Sequence, residues 1–317
     1  MRVGFFGTPA IAARYLEAIA QRHQVAGVVP QPDRPAGRSA QPQPSPVKQV
    51  ALRVGAPVFQ PERGHCPGSC AELELGTPDI CVVVAFGQRL PCGVRECSIG
   101  RCVNVHYSLL PKLRGAAPVQ HAILQGLERT GVTIQHVAPG WDEGDIILRR
   151  AVEIYPEDTT GSLTERLTEL GLATLLDALD LLAAGTAART PQDPAEASFA
   201  PAIKKEDGMI VWGESAELIA RRIRAYTPWP GAMTALEGRA LKLLRARPEN
   251  VYEGEGEPGE VVEISAEGFS VACGTGRLRA EEVQAAGRRA MSAAEFLRGA
   301  RLPVGVRLGH YRSDGGA

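Results

Sequence analysis

The chain has 317 residues, 44% hydrophobic and 22% charged, which is ordinary globular composition and length enough for two domains. A formal net charge of −1 excludes a global field for a polyanion, so a nucleic acid would have to be met by local patches. No apolar run approaches the ~18 residues of a membrane-spanning helix, and the chain starts on a strand-like stretch without a basic leader, so a cytoplasmic protein is expected.

Val3–Phe6 reads as a buried strand, and Thr8 and Pro9 fit an N-cap and a first helical position. Ile11, Tyr15, Leu16 and Ile19 continue at helical spacing, and Val25–Val29 is a second strand. Gln31–Pro46 is a proline-rich loop of the length that tends to carry function. Ser45-Pro46 caps a short helix that stops at Gly55. Ile80–Ala85 is a continuous apolar run, as in a strand covered on both faces. Cys102–His106, Val132–Val137 and Ile146–Ile154 add strands, and Ser162–Leu182 is an amphipathic helix whose leucine stripe is core. This alternation predicts an α/β domain with a mostly parallel sheet over residues 1–185.

Residues 186–203 fall in an aperiodic Ala/Pro/Asp/Thr stretch and read as a linker. Over 204–317 the pattern becomes one helix, Ala216–Ala225, and four short strands, Ala240–Arg245, Glu260–Ile264, Phe269–Cys273 and Leu278–Val283. A C-terminal helix or turn, Ser292–Gly299, follows, and a small β-barrel is expected. Arg221, Arg222 and Arg224, with the pairs Arg245/Arg247, Arg277/Arg279 and Arg288/Arg289, form either a wet face or a phosphate-tracking patch. Seven cysteines lack framework spacing, and His65, Cys66 and Cys70 have no second Cys/His pair, so reduced thiols and no metal are expected. Gly4-Phe5-Phe6-Gly7 does not extend to the dinucleotide-binding glycine pattern.

The informative stretch runs from Asn104 to Pro118. Asn104 and His106, two apart at a strand end, share one face. An amide and an imidazole at the carboxyl edge of an α/β sheet can polarise a carbonyl and hold the oxyanion that develops on it. The small, rigid Ser108-Leu109-Leu110-Pro111 turn and the Arg114–Pro118 segment suit close backbone approach to a ligand. Asp142, on the glycine-bounded loop Gly140–Asp145, can orient His106 and relay a proton.

At these residues the sequence resembles the folate-dependent formyltransferases, and among them the methionyl-tRNA formyltransferases. The matching segments span nearly the whole chain: Phe6–Pro9, Gln31–Arg38, Ser45–Lys48, Val84–Gly87, the Asn104–Pro111 stretch, Gly131–Thr133, Gly140–Asp145 and Pro228–Pro230. The resemblance implies a Rossmann-like formyltransferase domain followed by an OB-like β-barrel that contacts tRNA. It further implies formyl transfer from 10-formyltetrahydrofolate, as co-substrate, to the methionine of initiator methionyl-tRNA for translation initiation, with tetrahydrofolate as product. Asn104, His106 and Asp142 become the catalytic residues, Ser108, Leu109, Leu110, Pro111, Phe86 and Gly87 the folate contacts, and Arg34 and Arg38 the tRNA contacts. A monomer without metal or membrane association is expected. Transfer to an amino sugar nucleotide, and an RNA-binding protein with a vestigial folate site, are the alternatives. Tyr107 stands where a small residue is common in the family, and Phe86 where a tyrosine is frequent.

Overall fold

Apolar runs bounded by glycine, proline or polar turns form the strands of the first half, and helical spacing between them forms the covering helices. In chain order these are β1 (Arg2–Gly7), α1 (Ala10–Arg22), β2 (Gln24–Val29), β3 (Arg34–Pro35), β4 (Pro42–Gln43), α2 (Pro46–Arg53), β5 (Ile80–Val84) and β6 (Cys102–His106). α3 (Pro118–Leu124), β7 (Arg129–His136), β8 (Ile146–Glu153) and α4 (Thr160–Ala183) follow. The computed structural model describes residues 1–35, 41–61, 78–88, 90, 102–249 and 256–309. By contacts the chain forms two compact units: Met1–Gly115 with Thr130–Val152 and Glu165–Phe199, and Ala116–Arg129 with Glu153–Thr164 and Ala200–Ala317.

The first unit is built on a six-stranded sheet of order β2-β1-β5-β6-β7-β8. β1 pairs in parallel with β2 and β5, and β5 with β6, while β6 and β7 run antiparallel. All five residues of β5 are buried, as a strand between two covered faces requires. Because β2 and β5 lie on opposite sides of β1, the order reverses between β1 and β5, and the crevice at such a reversal opens at the carboxyl ends of the strands. Gly7 ends β1 there, and a Cβ on it would stand 2.8 Å from both the Ala12 Cβ and the Val84 carbonyl oxygen.

One expectation is corrected in this unit. Pro9, not Thr8, is the N-cap of α1, and it supplies no side-chain cap. The Thr8 hydroxyl accepts instead from the Gln31 amide at 3.1 Å, tying the end of β1 to the segment leaving β2. The aperiodic stretch before residue 200 is also fastened. Ile146 and Thr190 exchange both backbone bonds, at 2.8 and 3.0 Å, and the Arg114 amide donates to the Ser198 carbonyl at 2.8 Å. Ser45 caps α2 as expected, accepting from the Lys48 amide at 3.2 Å, and Gly55 follows the helix with a φ of 69°.

The second unit adds α5 (Ala216–Ala225), β9 (Ala232–Leu236), β10 (Arg239–Glu249), β11 (Val261–Ile264), β12 (Phe269–Ala272), β13 (Arg277–Ala285), β14 (Met291–Ser292) and α6 (Ala293–Gly299). The sheet order is β11-β12-β13-β10-β9, and its pairings are antiparallel. β9 escaped the sequence reading because Ala-Met-Thr-Ala-Leu lacks a β-branched majority. Both edges are bonded by one C-terminal segment: Ala235 of β9 pairs with Gly309, and Glu260, just before β11, pairs with Arg307. The sheet is thereby closed around Phe269, Leu241, Leu243, Val271 and Leu278, with Ile219 and Ile223 of α5 in the same core. This bonding covers part of each sheet edge among the described residues.

The closing segment depends on Gly259, whose φ is +92° and where a Cβ would stand 2.7 Å from the Leu308 carbonyl oxygen. Gly259→Ala is expected to cost the barrel about 1–3 kcal/mol. Calorimetry should show a lowered unfolding temperature; an unchanged transition would mean that Gly259 and Leu308 do not constrain one another.

Candidate active site

β6 and β7 place four side chains by register alone. Asn104 stands opposite Gln135, and His106 opposite Thr133, in the antiparallel ladder. Asp142 arrives from the loop after β7, with a φ of 53° that aspartate tolerates better than most residues. The loop is held tightly: a Cβ on Gly144 would overlap the His136 carbonyl oxygen.

The Asp142 carboxylate is the meeting point. Its Oδ1 accepts from Gln135 Nε2 at 2.9 Å and from Asn104 Nδ2 at 3.3 Å, and its Oδ2 accepts from the Gly115 amide at 2.9 Å. His106 Nδ1 lies 3.6 Å from Oδ1. The other imidazole nitrogen, Nε2, is 2.9 Å from the Leu113 carbonyl oxygen, and a carbonyl can only accept, so Nε2 carries a proton. Nδ1 is left as the edge that faces both Asp142 and an incoming group. Leu113 reaches this bond with a φ of 58°, a left-handed conformation rarely kept by leucine and typical of backbone held at functional sites. Asn104 keeps a second amide hydrogen beyond its bond to Asp142. The three predicted catalytic side chains therefore share one cluster, with donors arranged for developing negative charge.

Residues 1–179 match the family described as Formyl transferase, and residues 202–301 match its C-terminal domain family. The methionyl-tRNA formyltransferase of Geobacter metallireducens is 43% identical over 96% of this chain and 98% of its own length. The methionyl-tRNA formyltransferase of Moorella thermoacetica is 44% identical over 98% of this chain and 99% of its own. The chain belongs to the methionyl-tRNA formyltransferase family. It is accordingly an enzyme that transfers a formyl group. HypX from Aquifex aeolicus, solved in complex with tetrahydrofolic acid, shares the fold with a TM-score of 0.62 at 20% identity, over 94% of this chain and 47% of its own.

Two residues of the cluster escaped the sequence reading: Leu113 and Gln135. Gln135 was legible in principle, since it follows Thr133 at strand spacing, but its partner Asn104 is fixed only by the register. The residues expected to contact folate are placed as follows. Ser108 and Leu110 are buried, and the polar atoms of the turn bond inward. The Ser108 hydroxyl donates to the Lys112 carbonyl at 2.6 Å, and Thr133 Oγ1 donates to the Ser108 carbonyl at 2.6 Å. Leu109 and Pro111 line an open groove of about 860 Å³ with Ile146–Arg149 and Thr190–Asp193. Phe86 packs edge-on against Phe6, centroids 5.6 Å apart, and its carbonyl accepts from Gln31 Nε2 at 2.7 Å. Gly87 follows with a φ of 74°. The Tyr107 hydroxyl bonds to Tyr15 at 3.1 Å and Thr168 at 2.9 Å, so this bulky residue packs into the unit. Burial pushes both phenols above their ordinary range.

Arg34 is exposed on β3, its guanidinium 3.4 Å from Gln31 Oε1; Arg38 lies outside the described residues, as do His65, Cys66 and Cys70. Several of the arginines of the second unit are ion-paired within it. Arg245 and Arg247 bind Glu281 at 3.0 and 3.2 Å, and Arg277 and Arg279 bind Glu249 at 2.9 and 3.1 Å. Arg222 meets Glu214 at 2.8 Å, and Arg289 meets Glu295 at 2.7 Å. Burial alone would raise the Glu249 carboxyl, but the Ser270, Arg279 and Arg277 donors hold it below its usual range. Among the described residues no group of three or more His, Cys, Asp or Glu side chains could hold a metal, and no helix is long and apolar enough to cross a membrane.

The root of the Gln31–Pro46 loop is fixed by Asp33. Lys48 Nζ meets its Oδ2 at 2.6 Å and Gln60 Nε2 its Oδ1 at 2.8 Å. The Lys48 ammonium, then the Gln60 amide, hold the Asp33 carboxyl below its usual range. A depressed folded value means that this anchor is complete above the ~3.9 of unfolded aspartate and is lost as pH falls through the folded value. The Gln60 side-chain amide resonances should titrate with a midpoint below ~3.9 and cease to do so in Asp33→Asn. A midpoint at or above that value would overturn the anchor.

Proposed function

We propose that the chain transfers the formyl group of 10-formyltetrahydrofolate to the α-amine of methionine on initiator methionyl-tRNA, for translation initiation. The observation that carries this is the gathering of Asn104, His106 and Asp142 on one carboxylate-centred cluster at the carboxyl end of β6, in a chain of this family. The amine nitrogen attacks the formyl carbon, forming the new C–N bond, and the carbonyl electron pair moves onto oxygen. The free amide hydrogen of Asn104 and the Nδ1–H of the doubly protonated His106 ring stabilise that oxyanion. Asp142 orients the imidazole and takes the proton that the amine loses. The proton is returned to N10 as the C–N10 bond breaks, and tetrahydrofolate leaves. Holding two large substrates together supplies much of the rate through effective molarity.

The Ser108–Pro111 turn, through Leu109 and Pro111 on its open side and Ser108 and Leu110 as its rigid frame, is the proposed folate contact, with the backbone at Phe86 and Gly87. Arg34 and Arg38 are the proposed tRNA contacts from the Gln31–Pro46 loop. We assign catalysis to residues 1–185, the connection to 186–203 and further tRNA contact to 204–317, in a cytoplasmic monomer.

The decisive assay offers labelled 10-formyltetrahydrofolate together with initiator methionyl-tRNA, elongator methionyl-tRNA, deacylated tRNA or an amino sugar nucleotide. Label should reach initiator methionyl-tRNA; transfer only to the sugar amine sinks the tRNA reading. Asn104→Ala, His106→Ala and Asp142→Ala should each lower turnover at least ~10²-fold, the scale of a lost oxyanion donor or general base. Near-normal turnover in folded Asn104→Ala removes its role. Arg38→Ala should lower the salt slope of tRNA binding by about one ion. An unchanged slope counts against that contact.

A further inference from the structure

Behind the Asp142 carboxylate lies a chain of hydrogen bonds that all point the same way. Arg114 is only 6% exposed, and its guanidinium does not meet a carboxylate closely: Glu143, itself half exposed, comes no nearer than 3.8 Å. Instead both Nε and Nη2 donate to one atom, Gln192 Oε1, at 3.0 and 2.9 Å. The two hydrogens of Gln192 Nε2 are shared among three acceptors, the Asp142 and Gly144 carbonyls, both at 2.8 Å, and Gln135 Oε1 at 3.2 Å, so the contact to Gln135 is one arm of a bifurcated bond. Gln135 Nε2 completes the series by donating to Asp142 Oδ1 at 2.9 Å. Neither amide can be turned round. A guanidinium has no acceptor, so Gln192 must present its oxygen to Arg114, and backbone carbonyls have no donor, so it must present its nitrogen to the loop.

We propose that Arg114, Gln192 and Gln135 are positioning residues, a polarised relay that carries the field of a buried cation to Asp142 and holds its carboxylate aimed at His106. The inference rests on the reading of Asp142 as a participant in formyl transfer. A buried guanidinium whose close partner is an amide oxygen, with Glu143 no nearer than 3.8 Å, is an expensive way to fasten a loop, since apolar packing would hold it at lower desolvation cost. What it adds is direction. Each bond polarises the next, and a donor at the end of such a series favours a charged acceptor. Gln192 also fixes the loop through two carbonyls, so a residue from the aperiodic stretch before residue 200 sets where the carboxylate stands. The other charges at this carboxylate are accounted for: His106 approaches from β6, Glu143 flanks it on the loop, and Asp145 is engaged by Arg189 at 3.2 Å.

The test uses the full chain. Gln135→Met keeps the volume and removes the last donor; Gln192→Glu keeps the Arg114 contact and turns the donor end into an acceptor. In both, kcat should fall ~10-fold or more, and in Gln135→Met, whose side chain bonds Asp142 and Gln192 and is not among the groove's lining residues, KM for each substrate should stay within about twofold. The acidic limb of the kcat–pH profile should move to higher pH, and the Asp142 13Cγ resonance of the ligand-free protein should titrate higher by the same shift. Loss of kcat with an unmoved acidic limb and an unmoved resonance, or loss matching only a smaller folded fraction, overturns the relay. The resonance separates this inference from the functional one. A moved resonance with wild-type protein inactive on methionyl-tRNA leaves the relay standing and sinks the formyl-transfer reading. An unmoved resonance with active wild-type protein does the reverse.

Discussion

A carboxylate that accepts from three elements at once governs the catalytic unit. Asp142 takes a side-chain donor from β6, another from β7 and a backbone donor from the turn at Gly115, with the imidazole of His106 at its edge. Each donor is worth about 1–3 kcal/mol when the acceptor is charged, and leaving any one unmet inside a half-buried site costs a similar amount. The antiparallel register of β6 on β7, the left-handed backbone at Leu113 and Asp142, and the absence of a Cβ at Gly144 are all requirements of that one convergence. The mostly parallel sheet serves it by ending β6 at the carboxyl edge, where a ligand can approach.

The second unit spends its charge differently. Its arginines lie along β10 and β13, and Glu249, Glu263 and Glu281 stand among them, so most positive charge is internally compensated. Such ladders brace neighbouring strands and add little long-range field, since a paired ion presents a dipole to a distant phosphate. Electrostatic attraction to a polyanion then falls to cations outside these pairs. Arg34, exposed and bonded only to an amide oxygen, is one of them among the described residues. This division agrees with the near-zero net charge of the chain. It also means that the barrel arginines cannot be read as nucleic-acid contacts from their clustering in sequence.

How much of this was legible before the structure depends on the range of the interaction. Elements set by local spacing were readable nearly to the residue: Cys102–His106, Ala216–Ala225 and the Ser45 cap all follow from periodicity and capping chemistry. Asn104 and His106 were readable because a strand puts alternate residues on one face. Gln135 was hidden by register, which no local pattern reports. Gln192 was hidden by composition, since Thr-Pro-Gln-Asp-Pro has neither period and looks like connection. Thr8 was misjudged because its hydroxyl found a tertiary partner in Gln31 that outbid the local cap. The glutamate partners of the β10 and β13 arginines were hidden for the same reason, because Glu281 and Glu249 reach them from the neighbouring strand.

Hidden and readable residues divide along a functional line. The groups proposed to touch the reacting atoms come from one strand and one glycine-bounded loop, where chemistry restricts the residue type. The groups that aim them are glutamines and an arginine whose value lies in geometry. A glutamine at large in a sequence carries no signal of reactivity, yet its amide is the one neutral side chain long enough to accept from a cation at one end and donate at the other. Two in series, Gln192 and Gln135, span the gap between a buried guanidinium and a carboxylate without bringing the ions together. A direct Arg114–Asp142 pair would neutralise the carboxylate's claim on His106. The interposed amides leave that claim intact while keeping Asp142 charged and still.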